Sequence, residues 1–193
     1  IAEKYGEILR ACNTVDYDDQ IGLACKMMEE DEELLNELQE GAQHLLVDEY
    51  QDINADQFRM IRLLAGKQAL GLFAVGDDDQ SIYGFRGGSP EYLRNFRRHF
   101  GKGARIETLP RCWRCPSRIL ESALAVVKTF NTARLEKDPP ACGKGGQVTW
   151  HKVPSHSREA AMIAGIAKDS SKKDVLILLP TAQLARPLAV ALR

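Results

Sequence analysis

The amino-acid sequence predicts an α/β fold, parallel sheets flanked by helices with a helical lead-in at the N-terminus. Three observations predict it. After residue 44, short apolar runs alternate with helical periodicities five times, the order that a parallel sheet with helices on its faces requires. Two of those runs, 45–47 and 70–75, lead into the acidic stretches Asp48-Glu49 and, after Gly76, Asp77-Asp78-Asp79. In an open α/β sheet, ligands bind beyond the carboxyl ends of the strands. The composition, 44% hydrophobic and 27% charged over 193 residues, is that of a core-forming chain with room for one large or two small domains.

The elements follow in order. Residues 1–12 read as a helix with Ile1, Tyr5, Ile8 and Leu9 on one side. After a polar break, Asp18 or Asp19 caps a long helix that carries Ile21, Leu23, Met27, Met28, Leu34, Leu35 and Leu38 and ends at Gly41. The acid run Glu29 to Glu33 in its middle reads as a solvated face. The strand at 44–48 reads as buried on both faces. A helix over 55–64 with Gly66 beyond its end leads to the strand at 70–75. Ser89-Pro90 opens a helix with Leu93, Phe96 and Phe100 on its apolar side. A third strand over 105–109 precedes a helix from Pro116-Ser117 to Phe130. Residues 131–146, with Pro139-Pro140 and three glycines, read as a loop. Strands over 147–153 and 175–179 then alternate with helices capped by Ser155 or Ser157 and by Thr181. The expected division is 1–108 and 109–193.

Net charge is −1, which still permits a local basic face. No apolar run approaches a membrane span, and no signal-peptide pattern opens the chain. Five cysteines are odd in number and too sparse for a disulfide scaffold, so a reducing cytoplasm is the simpler setting. The chain starts at Ile1 and stops in a helical pattern, which reads as a piece of a longer protein.

The first acidic exit suits a magnesium–nucleotide site. One acid, Asp48 or Glu49, would hold the metal and the other would prepare a water for attack. The same residues also fit a strand that runs into a solvated acidic turn. At the second exit, Gln80 can donate and accept hydrogen bonds, as a sensor of a terminal phosphate must. Tyr83 and Phe85 flank Gly84 with Arg86 behind them, a pattern that fits a stacking platform for single-stranded nucleic acid or two rings packed inward. Eight basic residues (Arg94, Arg97, Arg98, Lys102, Arg105, Arg111, Arg114 and Arg118) suggest phosphate contacts. Arg94, Arg97 and Arg98 read better as a solvated helix face, whereas Arg111 and Arg114 flank Trp113 just after a strand. Cys112 and Cys115 form a C-x-x-C pattern, but Cys142 stands alone in sequence, so neither a zinc nor a redox role is expected.

LLVDEYQDINADQ (45–57) and VGDDDQSIYGFRGG (75–88) resemble the second and third motifs of the UvrD/Rep/PcrA group of superfamily 1 DNA helicases. LPRCWRCPSRIL (109–120) resembles that group's fourth motif, and VLILLPTAQLARPLAVAL (175–192) the segment before its large inserted subdomain. The resemblance implies parts of two RecA-like motor domains of the P-loop NTPase type. It implies that Asp48 ligates Mg2+, that Glu49 is the catalytic base, and that Gln51 and Asp52 couple the metal site to neighbouring motifs. It further implies that Gln80 links the ATP γ-phosphate to DNA, that Tyr83, Phe85 and Arg86 face DNA, and that Arg114 is the arginine finger. Trp113 stands where that group has a Tyr stacking on adenine, and Phe85 where it has a Trp stacking on a base. Cys112 and Cys115 replace the usual Asn and Ser, which removes polar contacts there.

The implied activity is ATP-driven translocation on single-stranded DNA, 3′ to 5′, with unwinding at duplex junctions, in repair or replication. No G-x-x-x-x-G-K-[ST] occurs in the chain, so the phosphate-cradling loop is absent from it. The chain alone is therefore expected to be inactive. The alternatives are a helicase subunit of a nuclease–helicase recombination complex and a non-catalytic DNA-binding protein.

Overall fold

The computed structural model describes residues 2–17, 19–69, 71–137, 140–169 and 174–192. Ile1, Asp18, Leu70 and Pro139, named above, lie outside the described residues. The chain divides into two compact units, Ile1–Gly146 and Gln147–Arg193.

The first unit opens with α1 (Ala2–Ala11), α2 (Asp19–Glu30) and α3 (Glu32–Gly41). The long lead-in helix is thus two helices. The break falls inside the acid run because Asp31 leaves helical geometry and its side chain accepts the Leu34 N–H at 2.9 Å, capping α3. Glu29, from the same run, pairs with Arg59 of α4 (Ala55–Ala65), so that acid ties the lead-in to the next helix. At the start of α2, Asp16 accepts the Asp19 N–H at 2.8 Å.

Strands β1 (Leu45–Val47) and β2 (Leu72–Ala74) pair in parallel, Leu45 opposite Leu72 and Val47 opposite Ala74. Leu45, Val47, Leu72 and Ala74 pack on Tyr50, Ile53 and Ile61. Successive strand residues face opposite sides. Leu46 and Phe73, in register on the other face, are 75% and 61% exposed, so the expected burial of β1 on both faces does not occur. Among the described residues, helices cover only one side of this sheet.

Aromatic rings from α4, α5 (Glu91–Arg94) and α6 (Phe96–Phe100) close the core. Tyr50 is fully buried and meets Phe96 edge-on at 5.6 Å between centroids. Phe58 stacks on Tyr92 at 4.3 Å. Such pairs add about 1 kcal/mol each beyond the area they bury. Instead of one helix after Ser89-Pro90 there are two short ones, broken at Asn95, whose side-chain amide turns back to the Glu91 carbonyl at 3.0 Å. The helix α7 (Ser117–Phe130) forms as expected.

The strands expected at 105–109, 147–153 and 175–179 are absent among the described residues. A strand exists only as part of a hydrogen-bonded pair, and among the described residues these stretches form no such pair. Their apolar side chains stay in solvent, with Leu109, Trp150, Leu176 and Leu178 each about four-fifths exposed. The sheet is therefore two-stranded, and the mixed α/β character rests on β1 and β2.

In the second unit, α8 (His156–Lys168) packs on α9 (Ala185–Leu192), burying Ala160, Ala164 and Leu188. Ser155 caps α8 by accepting the Arg158 N–H at 3.4 Å. Thr181 does not cap the last helix: it precedes a 3-10 turn and makes no capping bond.

Helix α4 starts immediately after the first acidic exit, and its start depends on one residue. The Asn54 side chain accepts the Gln57 N–H and the Gln57 side chain accepts the Asn54 N–H, each at 2.9 Å. Asn54→Ala is expected to cost about 1 kcal/mol, read as a lower urea midpoint at unchanged slope.

Candidate nucleotide and nucleic-acid site

The two acidic exits lie side by side because β1 and β2 are adjacent and parallel. At the end of β1 the backbone turns sharply. Glu49 adopts a left-handed conformation with φ 49°, uncommon for a residue with a Cβ. The Asp48 carboxylate accepts the Glu49 N–H at 2.9 Å, and the Tyr50 N–H reaches the Val75 carbonyl at 2.9 Å. This turn leaves both acidic side chains in solvent and sends Tyr50 into the core. The buried Tyr50 hydroxyl has no partner, and burial pushes its pKa up.

Gln51 is only 1% exposed and connects the two exits. Its side-chain N–H donates to Glu49 Oε2 at 2.6 Å and to Asp52 Oδ2 at 3.3 Å. Its carbonyl oxygen accepts the Asp77 N–H at 2.9 Å. The other Asp52 oxygen is buried without a partner. A Cβ at Gly76 would sit 2.7 Å from the Gln51 Oε1, so only glycine permits this approach. Gln80, which is exposed, donates to Asp77 Oδ2 at 2.6 Å.

The acids of the second exit are not a solvated turn. Asp78 is 3% exposed. Asp77, Asp78 and Asp79 offer oxygens within 4.8 Å of one another, a spacing suited to a metal ion, but protein cations already occupy them. Arg94 contacts Asp78 at 3.1 Å, Arg134 contacts Asp79 at 2.7 Å, and Lys137 reaches all three. Asn131 adds a bond to Asp79 at 2.9 Å. Arg94 is therefore no solvated-face residue: it is largely buried and also bonds Glu91 and Asn131, each at 2.6 Å. Sequence reading missed Asn131, Arg134 and Lys137. Their only signal was an amide and two cations at three-residue spacing in a stretch read as loop.

Burial pushes the Asp78 and Asp79 carboxyls upward. Lys137, the Leu135 N–H and Arg94 outweigh it at Asp78, and Arg134, Lys137 and Asn131 outweigh it at Asp79. Both end below the ordinary carboxylate range.

The nucleic-acid candidates lie together after β2. Arg86 sits over the rings of Tyr83 at 5.6 Å and Phe85 at 5.4 Å, and the rings are 6.0 Å apart. Phe85 is 78% exposed, so the rings form an open platform and are not packed inward. Trp113 is 75% exposed with Arg111 over its ring at 5.0 Å. Arg114 is exposed and forms no ion pair with Asp48 or Glu49.

Residues 1–101 match the family model of the UvrD/REP helicase N-terminal domain. The chain belongs to the UvrD/Rep helicase family. It is 40% identical over 161 residues to the ATP-dependent DNA helicase Rep of Escherichia coli (strain K12), covering 83% of this chain and 24% of that protein. The ATP-dependent DNA helicase PcrA of Leuconostoc citreum is 34% identical over 159 residues, covering 82% of this chain and 21% of PcrA. DNA helicase II of Haemophilus influenzae is 33% identical over 170 residues, covering 88% and 23%. The chain thus spans about a quarter of the length of these relatives.

The cysteines depart from the expectation that Cys142 stands apart. The Cys112 N–H bonds the Pro140 carbonyl at 3.0 Å, and the Cys142 thiol lies 3.5 Å from the Cys115 carbonyl. The Cys115 N–H points at the Cys112 sulfur at 3.4 Å, and this bond with the Arg114 N–H lowers the Cys112 thiol pKa. Burial raises that of Cys115. Iodoacetamide near neutral pH is accordingly expected to label Cys112 ahead of Cys115, as read by peptide mass spectrometry.

The acid pairs generate a pH dependence. A carboxyl with a lowered folded-state pKa stabilises the fold above the unfolded value, and that gain fades as pH falls through the folded value. Asp79→Asn would remove the buried carboxylate that Arg134 and Lys137 both contact. It is expected to cost roughly 3 kcal/mol at neutral pH, and less as the pH falls below about 4. Urea melts of both proteins across that range measure the convergence.

Proposed function

We propose that the complete protein is an ATP-dependent DNA helicase. In this reading the chain supplies the later part of the first RecA-like motor domain, to residue 108, and the early part of the second, from 109. The observation that carries it is the linkage Glu49–Gln51–Asp77–Gln80, which makes the two acidic exits one hydrogen-bonded unit. A motor must transmit the state of its nucleotide to the groups that hold DNA, and this unit runs from an exposed acid to the turn that leads into the aromatic platform.

The residues present fit a magnesium–nucleotide site. Asp48 is exposed at a strand end with one oxygen committed to a backbone N–H and the other open. Bound Mg2+ would offset the charge on the ATP phosphates, Asp48 holding it through its water shell. Glu49, oriented by Gln51, accepts the proton of the attacking water. Gln51 and Asp52 keep that acid in register with the second exit, and the unpartnered buried oxygen of Asp52 suits a donor from a neighbouring motif. Gln80 exchanges its bond to Asp77 for one to the γ-phosphate. Trp113 offers an open face to adenine, and Arg114 serves as the arginine finger once the motor domains close. Tyr83, Phe85 and Arg86 stack on and neutralise single-stranded DNA near a duplex junction. Movement 3′ to 5′, a cytoplasmic setting and work in repair or replication complete the reading.

Glu49→Gln in the complete protein is expected to lower DNA-stimulated ATP hydrolysis by about 100-fold or more and to leave DNA binding intact. Hydrolysis at the wild-type rate in a folded Glu49→Gln protein would overturn the reading, whereas ATPase activity of the 193-residue chain alone that Glu49→Gln abolishes would overturn only the expectation that this chain is inactive by itself.

A further inference from the structure

We propose that Lys137 is a positioning residue for Gln80, and through it for Glu49, acting through the Asp77 carboxylate. The consequence for turnover rests on the helicase reading above; the contacts do not.

One carboxylate is held between two side chains. Asp77 Oδ1 lies 2.7 Å from the Lys137 ammonium, and Asp77 Oδ2 accepts the Gln80 amide at 2.6 Å. That bond fixes an otherwise exposed glutamine. The Asp77 N–H is bonded to Gln51, which is bonded to Glu49. Moving Asp77 therefore moves Gln80 directly and disturbs Gln51 and Glu49 by one and two hydrogen bonds.

Lys137 is well placed to set that position. Its side chain is 17% exposed and touches all three acids. Its backbone is held too, since Arg134 donates to the Lys137 carbonyl at 2.8 Å while gripping Asp79. The Leu135 N–H donates to Asp78 at 3.0 Å. Residues 131–137 thus close around the acidic turn and carry Lys137 on a braced backbone.

Charge decides which acid depends on it most. Three cations face three carboxylates. Without Lys137, Asp78 keeps Arg94 and Asp79 keeps Arg134. Asp77 loses its ion pair and, being 35% exposed, can turn towards water. The first group released is the one that anchors Gln80. In the proposed division Gln80 belongs to the first motor domain and Lys137 to the second, so this carboxylate joins the two.

The test has two arms. In the 193-residue chain, the side-chain amide resonances of Gln80 and Gln51 are followed by NMR in wild type, Lys137→Met and Lys137→Arg, with thermal melts to confirm folding. Lys137→Met should shift the Gln80 amide towards free glutamine, and Lys137→Arg should retain the wild-type shift. If Lys137→Met does not fold, Asp77→Asn, which keeps an acceptor but drops the ion pair, replaces it and should shift Gln80 in the same direction. A Gln80 amide that stays in place in the folded variant overturns the proposal. In the complete protein, Lys137→Met should lower kcat for DNA-stimulated ATP hydrolysis roughly tenfold, with KM for ATP within about twofold, and Lys137→Arg should restore most of kcat. Unchanged kcat overturns the coupling. A wild-type protein without ATPase activity would instead sink the helicase reading, and the amide shifts would still decide this inference.

Discussion

Three adjacent carboxylates cannot leave water together unless positive charge accompanies them, because each buried charge loses its hydration. Asp77, Asp78 and Asp79 impose that constraint on the first unit. Asp78 is nearly inaccessible, so Arg94 must come from α5, and Arg134 and Lys137 must come from beyond α7. Meeting the charge requirement folds residues 131–137 back onto the turn after β2. That contact links sequence positions more than fifty residues apart, and it anchors the exposed Gln80 amide.

The same turn is constrained from its other side by a neutral residue. Gln51 is buried with both ends of its amide used, one on Glu49 and one on the Asp77 backbone. A carboxylate in its place could accept from Asp77 but could not donate to Glu49. Glycine at position 76 and left-handed backbone at Glu49 let the two strand ends approach closely enough for that amide to span them. Unusual backbone geometry often gathers at functional sites, where surrounding contacts hold it in place. Here those contacts leave Asp48, Glu49 and Gln80 facing solvent while Gln51, which joins the two exits, is buried.

Several apolar groups have no cover among the described residues. Leu46 and Phe73 stand on the open face of the sheet, and Leu176 and Leu178 lie in a stretch without strand pairing. The family relatives are about four times as long as the chain. No described helix is long and apolar enough to cross a membrane.

The amino-acid sequence by itself determined where α4, α7 and α8 start and what chemistry the exits carry. Caps such as Asn54 and Ser155 act within a few residues, and the acids, glutamine and aromatics of 48–52 and 80–86 are legible from composition at a strand end. The family was legible too, because its motifs are short runs read in order. Tertiary structure decided the rest. Strand pairing at 105–109, 147–153 and 175–179 needs an edge that local pattern cannot supply, so those expectations failed together. Arg94 looked like a surface residue until its partner Asp78 was seen to be buried, and the cations at 134 and 137 looked like loop. Burial of a charge depends on what comes to meet it from elsewhere in the chain, and no local pattern records that.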